Sequence, residues 1–340
     1  MCVFVTGGTG FVGSHLVRQL LQSGRKVRAL VRPSSNLTNL DGLDIEYAQG
    51  DLRDLESLRA AVKNCDLVFH CAADYRLWAE NTDELYESNV KGTENILQAC
   101  RENGVARVVV TSSVAAVGLP KNGGPGNEDI PVALEDMIGH YKRSKFLAEH
   151  VALKAAKEGQ DVVVVNPSTP IGDRDIKPTD TGKIITRFLN GQMPAYVNTG
   201  LNLVDVEDVC RGHILAAEKG KSGQRYILGG WDMTLQQILL ELADITGLKA
   251  PQVELPLWFA YIVGAIDTFV CTKMHKEPNV PLEGVKMARK LMYFSWRKAH
   301  EELGYEPKPI RPALERAVQW FIDNGYVKHG FNIKQNRKGF

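Results

Sequence analysis

The chain has little cysteine, and what it has is scattered. Cys2, Cys65, Cys71, Cys100, Cys210 and Cys271 form no CxxC pair and no Cys/His cluster at zinc-ligand spacing. No metal site is expected; reduced thiols in a cytoplasmic protein are. An excess of charge of one sign is missing too. Lys plus Arg total 41 against 40 for Asp plus Glu, a formal net charge of +1. That removes any global electrostatic case for binding nucleic acid or an anionic membrane. No basic stretch precedes the apolar run Cys2–Val5, so a secretory signal is not expected. Glycine (31) and proline (15) are too few and too aperiodic for a fibre or a disordered chain. A long apolar run is absent as well. The best candidate, Leu255–Cys271, is opened by Pro256 and interrupted by Asp267. Its uninterrupted part, Leu257–Ile266, is about half of the roughly 20 residues a membrane span needs. A buried or half-buried helix is the first expectation there. The second is peripheral contact with a membrane or partner, with Lys273, His275 and Lys276 at headgroup level.

What is present is strand–helix alternation. The apolar runs Cys2–Val5, Lys26–Val31, Ile45–Ala48, Leu67–Cys71, Arg107–Thr111 and Val162–Val165 are short and largely apolar on both faces. They read as strands of a buried parallel sheet. Between them, Phe11–Gln22, Leu55–Val62, Leu85–Cys100 and Tyr141–Lys157 carry helical spacing. The fold class expected is α/β, a Rossmann-type doubly wound parallel sheet. Past Pro167 the pattern loosens, and Gly172–Gly182 reads as a long functional loop. Short strands at Leu203–Val204 and Tyr226–Leu228 follow, with helices at Leu235–Thr246, Ser295–Leu303 and Pro312–Asn324. The expected division is a dinucleotide-binding domain over 1–166 and a smaller substrate-binding lobe over 167–327, with some return of the chain to the first. A flexible polar tail over 328–340 completes it.

The first strand runs into Thr6-Gly7-Gly8-Thr9-Gly10-Phe11-Val12-Gly13 and then a helix. That is the context a dinucleotide fingerprint requires. Gly7 allows the turn, Gly10 lets a pyrophosphate approach the backbone, and Gly13 lets helix and strand pack closely. The helix N-terminus offers free N–H groups to the phosphates. The second strand ends in Val31-Arg32-Pro33-Ser34-Ser35, where NAD enzymes usually carry an acidic residue. Arg32, with Ser34, suits a 2′-phosphate, so NADP is preferred over NAD, which stays possible. Asp51, after the third strand, is placed to accept from the adenine amino group, or else to cap the next helix.

The fifth strand ends in Thr111-Ser112-Ser113, and Tyr141 and Lys145 stand four apart on a helix, sharing one face. Hydride transfer at a carbonyl carbon needs a proton moved at its oxygen. A free tyrosine titrates near about 10, and an adjacent ammonium lowers that value. Tyr141 is the expected acid/base. Lys145 tunes it and binds nicotinamide ribose, Ser113 holds the substrate oxygen, and Asn89 orients Lys145 through water.

Together, Thr6-Gly7-x-x-Gly10-x-x-Gly13, Asp51-Leu52, Cys71-Ala72-Ala73, Asn89, Ser112-Ser113, Tyr141-x-x-x-Lys145 and Asn166-Pro167 resemble the extended short-chain dehydrogenase/reductase family over about residues 1–326. Nucleotide-sugar epimerases, dehydratases and dihydroflavonol reductases belong to it. Segments 72–78 and 167–172 look most like hopanoid-associated sugar epimerases. The strand Val27–Arg32 resembles dihydroflavonol reductases. The resemblance implies that Ser113 rather than Ser112 is catalytic, and that the backbone of Pro167, Ser168 and Thr169 contacts nicotinamide. It also brings Thr9, Phe11, Val12, Leu52, Ala72 and Ala73 into the cofactor site.

The substrate stays open: a small-molecule ketone or alcohol, or a sugar. A ketone reductase and an epimerase with retained NAD are both compatible, and a non-catalytic dinucleotide sensor is the reading of another class. A homodimer is allowed. Tyr75 and Trp78 are the expected apolar walls of the substrate site and Arg76 its cation; packing against Leu85–Cys100 is the alternative. Arg174, with Lys177, Lys183 and Arg187, would meet a sugar nucleotide's diphosphate, or else simply face solvent.

Overall fold

The structure, a computed structural model, describes residues 2–121, 123–278 and 280–328. Its N-terminal part runs β1 (Cys2–Thr6), α1 (Phe11–Gln22), β2 (Lys26–Val31), β3 (Glu46–Gln49), α2 (Leu55–Ala61), β4 (Leu67–His70), α3 (Asp83–Tyr86), α4 (Gly92–Glu102), β5 (Arg107–Thr111), α5 (Gly139–Lys157) and β6 (Val162–Pro167). The remainder is β7 (Thr169–Ile171), α6 (Asp180–Leu189), β8 (Ala195–Val197), β9 (Gly200–Asp205), α7 (Val206–Lys219), β10 (Arg225–Leu228), β11 (Trp231–Thr234), α8 (Leu235–Thr246), β12 (Val253–Leu255), α9 (Leu257–Lys273), α10 (Leu282–Met287), α11 (Arg297–Leu303) and α12 (Arg311–Asp323).

Among the described residues, seven strands pair in the order β10-β6-β5-β4-β1-β2-β3, every pair parallel. The alternation along each strand shows why. Val3 and Val5, with Phe69, Val109, Val163 and Val165, bury on one face under α1 and α7. Phe4, Val68, Val108, Val110, Val162 and Val164 bury on the other, under α2, α4 and α5. β-branched side chains suit a sheet covered on both sides. Strand order reverses direction between β1 and β4, and a crevice opens there at the carboxyl ends of the strands. The expected fold class is the one observed.

Beyond Pro167 the chain first leaves the sheet and then returns to it as β10, which pairs with β6 from Arg225↔Val164 to Leu228↔Pro167. Smaller sheets, β11-β9-β7 and β12-β8, and a third core around Leu239, Leu314 and Phe321 build the rest.

Several local readings are corrected. The expected loop Gly172–Gly182 already enters α6 at Asp180, where the Thr179 side chain caps the helix by accepting from Gly182 N. Helix α7 was not expected, although Val206, Val209, Cys210, His213 and Ala216 bury at helical spacing behind the capping Asp205. The long helix Leu85–Cys100 is interrupted by a π turn over Glu87–Lys91. Of the two expectations for Leu257–Ile266, α9 meets the half-buried one: Ala260 and Gly264 are buried, and most of its apolar residues are exposed. From residue 329 onward the expected flexible tail lies outside the described residues.

Candidate active site and cofactor cleft

The glycines do physical work at two positions. Gly7 has φ +71°, and a Cβ there would sit 2.6 Å from the Ala72 nitrogen. A Cβ on Gly13 would lie 2.1 Å from the Gly7 carbonyl oxygen, so the α1–β1 contact admits no side chain. At Gly10, by contrast, the only close atom is the Gly7 oxygen at 3.2 Å, and the residue opens on the cleft. It is the N-cap of α1, with no side chain capping and no acidic residue in the first turn. A phosphate therefore fits those free N–H groups.

The cleft, about 620 Å³, gathers Gly7, Thr9, Gly10, Phe11, Arg32, Ser34, Asp51, Leu52, Ala72, Ala73, Tyr75 and Arg76 of the expected residues. Val12, Gly13, Trp78, Arg174 and Pro167–Thr169 do not line it, and neither do Ser113, Tyr141 and Lys145. Arg32 is exposed, and no ion pair or side-chain hydrogen bond holds its guanidinium among the described residues. Its backbone forms a reciprocal turn with Ser35 (2.9 Å each way). Asp51 differs. Its carboxylate takes two bonds from the Arg53 guanidinium, at 2.9 and 2.8 Å, and falls to about 2, chiefly through that pairing. It does not cap α2; Asp54 does, accepting from Glu56 N and Ser57 N.

Ser113 and Tyr141 come together from different elements. Ser113 follows β5 in extended backbone, accepts from Ala115 N (3.1 Å) and hydrogen-bonds the Tyr141 phenol on α5. Burial pushes that phenol above its ordinary value, the Ser113 bond opposing and Asp180 reinforcing. This reverses the sequence expectation of a lowered phenol. The Lys145 Nζ donates to the Thr111 carbonyl at 2.8 Å. Burial lowers Lys145 to about 8, with Glu149 and Cys71 opposing.

Asn89 is corrected as well. It is 2% exposed in the π turn; its Oδ1 accepts from Asp74 N (2.7 Å), and its Nδ2 donates to Asp74 O (2.8 Å) and Ser144 Oγ (2.9 Å). It clamps the segment leaving β4 onto α5, one residue from Lys145, rather than reaching Lys145. Arg76 is bound bidentately to Asp74 and again to Glu84 (2.8 Å), so it is not a free cation for substrate. The Tyr75 hydroxyl donates to the Lys177 carbonyl (3.2 Å). Trp78 Nε1 donates to Thr272 Oγ1 on α9 (3.3 Å). Arg174 pairs with Asp173 (3.4 Å) and holds φ +64°, a left-handed conformation that costs a non-glycine residue about 1–3 kcal/mol.

Sequence reasoning missed other parts of the cleft. His70 is buried between Thr6 Oγ1 (2.8 Å) and Thr93 Oγ1 (3.1 Å), and burial lowers it to about 3. Thr6 Oγ1 also takes the Ala72 N–H (3.2 Å), fixing the exit of β4. Asn39 Nδ2 bridges the carbonyls of Thr9 (3.3 Å) and Arg174 (3.1 Å), tying the glycine loop to segment 173–177. The signal was a polar residue inside an apolar stretch, which requires buried partners.

A model of the NAD dependent epimerase/dehydratase family matches residues 3–229. The chain belongs to that family. It is therefore an NAD(P)-dependent oxidoreductase or epimerase of the extended short-chain dehydrogenase/reductase type. Another member-like relative is a provisionally named dihydroflavonol 4-reductase of Synechocystis sp., 51% identical over 331 residues, with 96% of each chain covered. Sterol demethylase protein B of Methylococcus capsulatus is 34% identical over 329 residues, covering 96% of this chain and 100% of that one. A nucleoside-diphosphate-sugar epimerase from Pseudomonas aeruginosa superimposes with a TM-score of 0.80 at 28% identity, over 96% of this chain and 99% of that one.

Proposed function

We propose that this member is a ketone reductase of the dihydroflavonol-reductase type, with NADP preferred. Tyr141 is its acid/base and Ser113 the anchor of the substrate oxygen. When bound in the glycine-loop cleft, the dinucleotide supplies the hydride. Tyr141 supplies the proton to the oxygen. Ser113, beside the phenol, turns its hydroxyl to hold the same oxygen. Lys145, held by the Thr111 carbonyl, keeps a positive charge at the end of β5 and meets the nicotinamide ribose hydroxyls. Asn89 holds Asp74 and Ser144, and so fixes the cleft wall and α5 relative to each other. Pro167, Ser168 and Thr169, at the end of β6 and start of β7, are assigned to the nicotinamide end.

The observation that carries this reading is the meeting of the half-buried Tyr141 phenol of α5 with Ser113 at the end of β5. A phenol loaded with its proton at neutral pH is the form that reduces a ketone. Two further features support it. Arg32 lines the cleft with no side-chain partner among the described residues, where a 2′-phosphate would lie. Two of the four cations that a sugar diphosphate would need are engaged elsewhere, Arg174 with Asp173 and Lys183 with Glu277 (2.7 Å) and Asp180, while Lys177 lines the cleft.

The test combines native mass spectrometry with steady-state kinetics. A reductase of this type is isolated with exchangeable cofactor and consumes NADPH faster than NADH on aryl or alicyclic ketones. Tightly retained NAD, with interconversion of a nucleotide sugar and no net cofactor consumption, would overturn the proposal in favour of the epimerase.

A further inference from the structure

Helix α9 has its polarity turned inside out. Its inward face carries small and polar residues. A Cβ on the buried Gly264 would lie 3.0 Å from Val285 of α10. Asp267 Oδ2 accepts from Val280 N (2.7 Å) and Thr268 Oγ1 from Leu282 N (2.9 Å). The helix thus holds the 280–282 backbone with its only acid. Its outward face is apolar. Trp258, Ile262, Ile266 and Phe269, spaced four, four and three residues apart, share one side of the helix. They are 65%, 48%, 60% and 65% exposed. So long an apolar stripe on the surface marks an interaction site.

The charges around the stripe choose its occupant. Lys273 sits at its C-terminal end with Nζ 5.7 Å from the Phe269 ring, and Lys276, Arg289 and Lys290 are exposed in the chain that follows. None of these four cations is ion-paired among the described residues. The acids close to them are already engaged, Glu277 by Lys183 and Glu80 by His275. An apolar stripe bordered by unpaired cations is complementary to an anionic lipid surface. A second copy of the same face would bring like charges together. At 17 residues α9 lies along such a surface rather than across it, and no helix of the described residues is long and apolar enough to span.

We propose that α9 docks in the headgroup–acyl boundary of an anionic bilayer, with Trp258, Ile262, Ile266 and Phe269 immersed and Lys273 and Lys276 at the phosphates. The docked helix borders the catalytic region. Thr272 holds Trp78, and α10 rests against Gly139 at the start of the helix that carries Tyr141. An apolar ketone dissolved in the bilayer would then meet the cleft at its rim.

The test is co-sedimentation of the full chain with vesicles of phosphatidylcholine alone or mixed with phosphatidylglycerol. Binding is expected to the anionic vesicles, weakening as salt rises. It should fall roughly fivefold for each of Lys273→Ala and Lys276→Ala. The double change Ile266→Asp/Phe269→Asp should reduce it by at least about tenfold, with dinucleotide affinity unchanged as the control for folding. A blue shift of tryptophan emission that Trp258→Phe removes would place the helix in the boundary. Absence of vesicle binding, or equal binding to neutral and anionic vesicles, would overturn the proposal. So would a concentration-dependent dimer that the double change dissociates, since the stripe would then belong to a second copy. Because the readout is binding rather than turnover, its failure is separable from failure of the reductase reading.

Discussion

At the scale of the residue, the phenol, the ammonium and the arginine of the cleft each make a measurable claim. Tyr141→Phe removes the proton donor while keeping the ring, so kcat should fall by about 10²–10⁴. Thermal midpoint and dinucleotide affinity should hold; a variant with more than about a third of wild-type kcat would exclude Tyr141 as acid/base. Arg32→Ala should weaken NADP by roughly 10- to 150-fold and leave NAD nearly unchanged, as expected for one charge-assisted contact. Calorimetry with both cofactors reads this directly. The pH dependence follows from opposite shifts. Tyr141 is raised and Lys145 lowered to about 8. Both are protonated near neutrality, and Lys145 discharges first as pH rises. Reductive kcat/KM should therefore fall above pH about 8, and Lys145→Arg, whose charge persists, should move that limb upward. An unmoved limb would remove Lys145 from the profile. The stability sign is the reverse of a salt bridge. The unfolded lysine keeps its proton to about 10.4, so between the two values the unfolded chain binds more protons. The contribution of this group to stability therefore rises with pH across that window.

At the scale of the element, the first strand–turn–helix is the least forgiving part. Gly13 lies where helix and strand backbones touch, so Gly13→Ala must push α1 away from Gly7. Overpacking of this kind costs about 1–3 kcal/mol and misaligns the N–H groups of α1. A lower thermal midpoint and at least a tenfold loss of dinucleotide affinity are expected, read by scanning and titration calorimetry. The π turn over Glu87–Lys91 is the second special element. It turns Asn89 toward Asp74 and Ser144, contacts that a regular helix of the same sequence would not specify, and such turns gather at functional sites. The sequence marks a helix here and marks Asn89, but not the extra residue per turn that aims it.

At the scale of the whole molecule, the returning strand β10 is fastened by a buried charge. Glu149 on α5 is 1% exposed; it accepts from Arg225 of β10 (2.9 Å) and from Asn166 Nδ2 of β6 (2.6 Å). The Arg225 guanidinium also caps the Glu128 carbonyl. Arg225→Ala strands that carboxylate, and losing one partner of a buried pair costs about 3–5 kcal/mol. The thermal midpoint should drop by several degrees. A change confined to the fraying of residues 225–228 in hydrogen exchange would mean the pair does not hold the sheet together.

The sequence by itself determined the parallel sheet, the glycine turn and the Tyr141–Lys145 face. Those depend on local periodicity and on where a Cβ cannot fit, which are properties of short windows. It also supplied identities at the cleft and beside it, because Arg32, Asp51 and Ser113 stand at strand ends that a doubly wound sheet brings to one edge. Only the tertiary structure decided what those side chains do once they meet. Asp51 goes to Arg53, Arg76 to Asp74 and Glu84, and Lys145 to Thr111, and burial outweighs the hydrogen bond at Tyr141. The same holds for α9, whose apolar letters read as core. Which face turns inward depends on Val280 and Leu282 needing acceptors, and that need arises only when two distant segments pack.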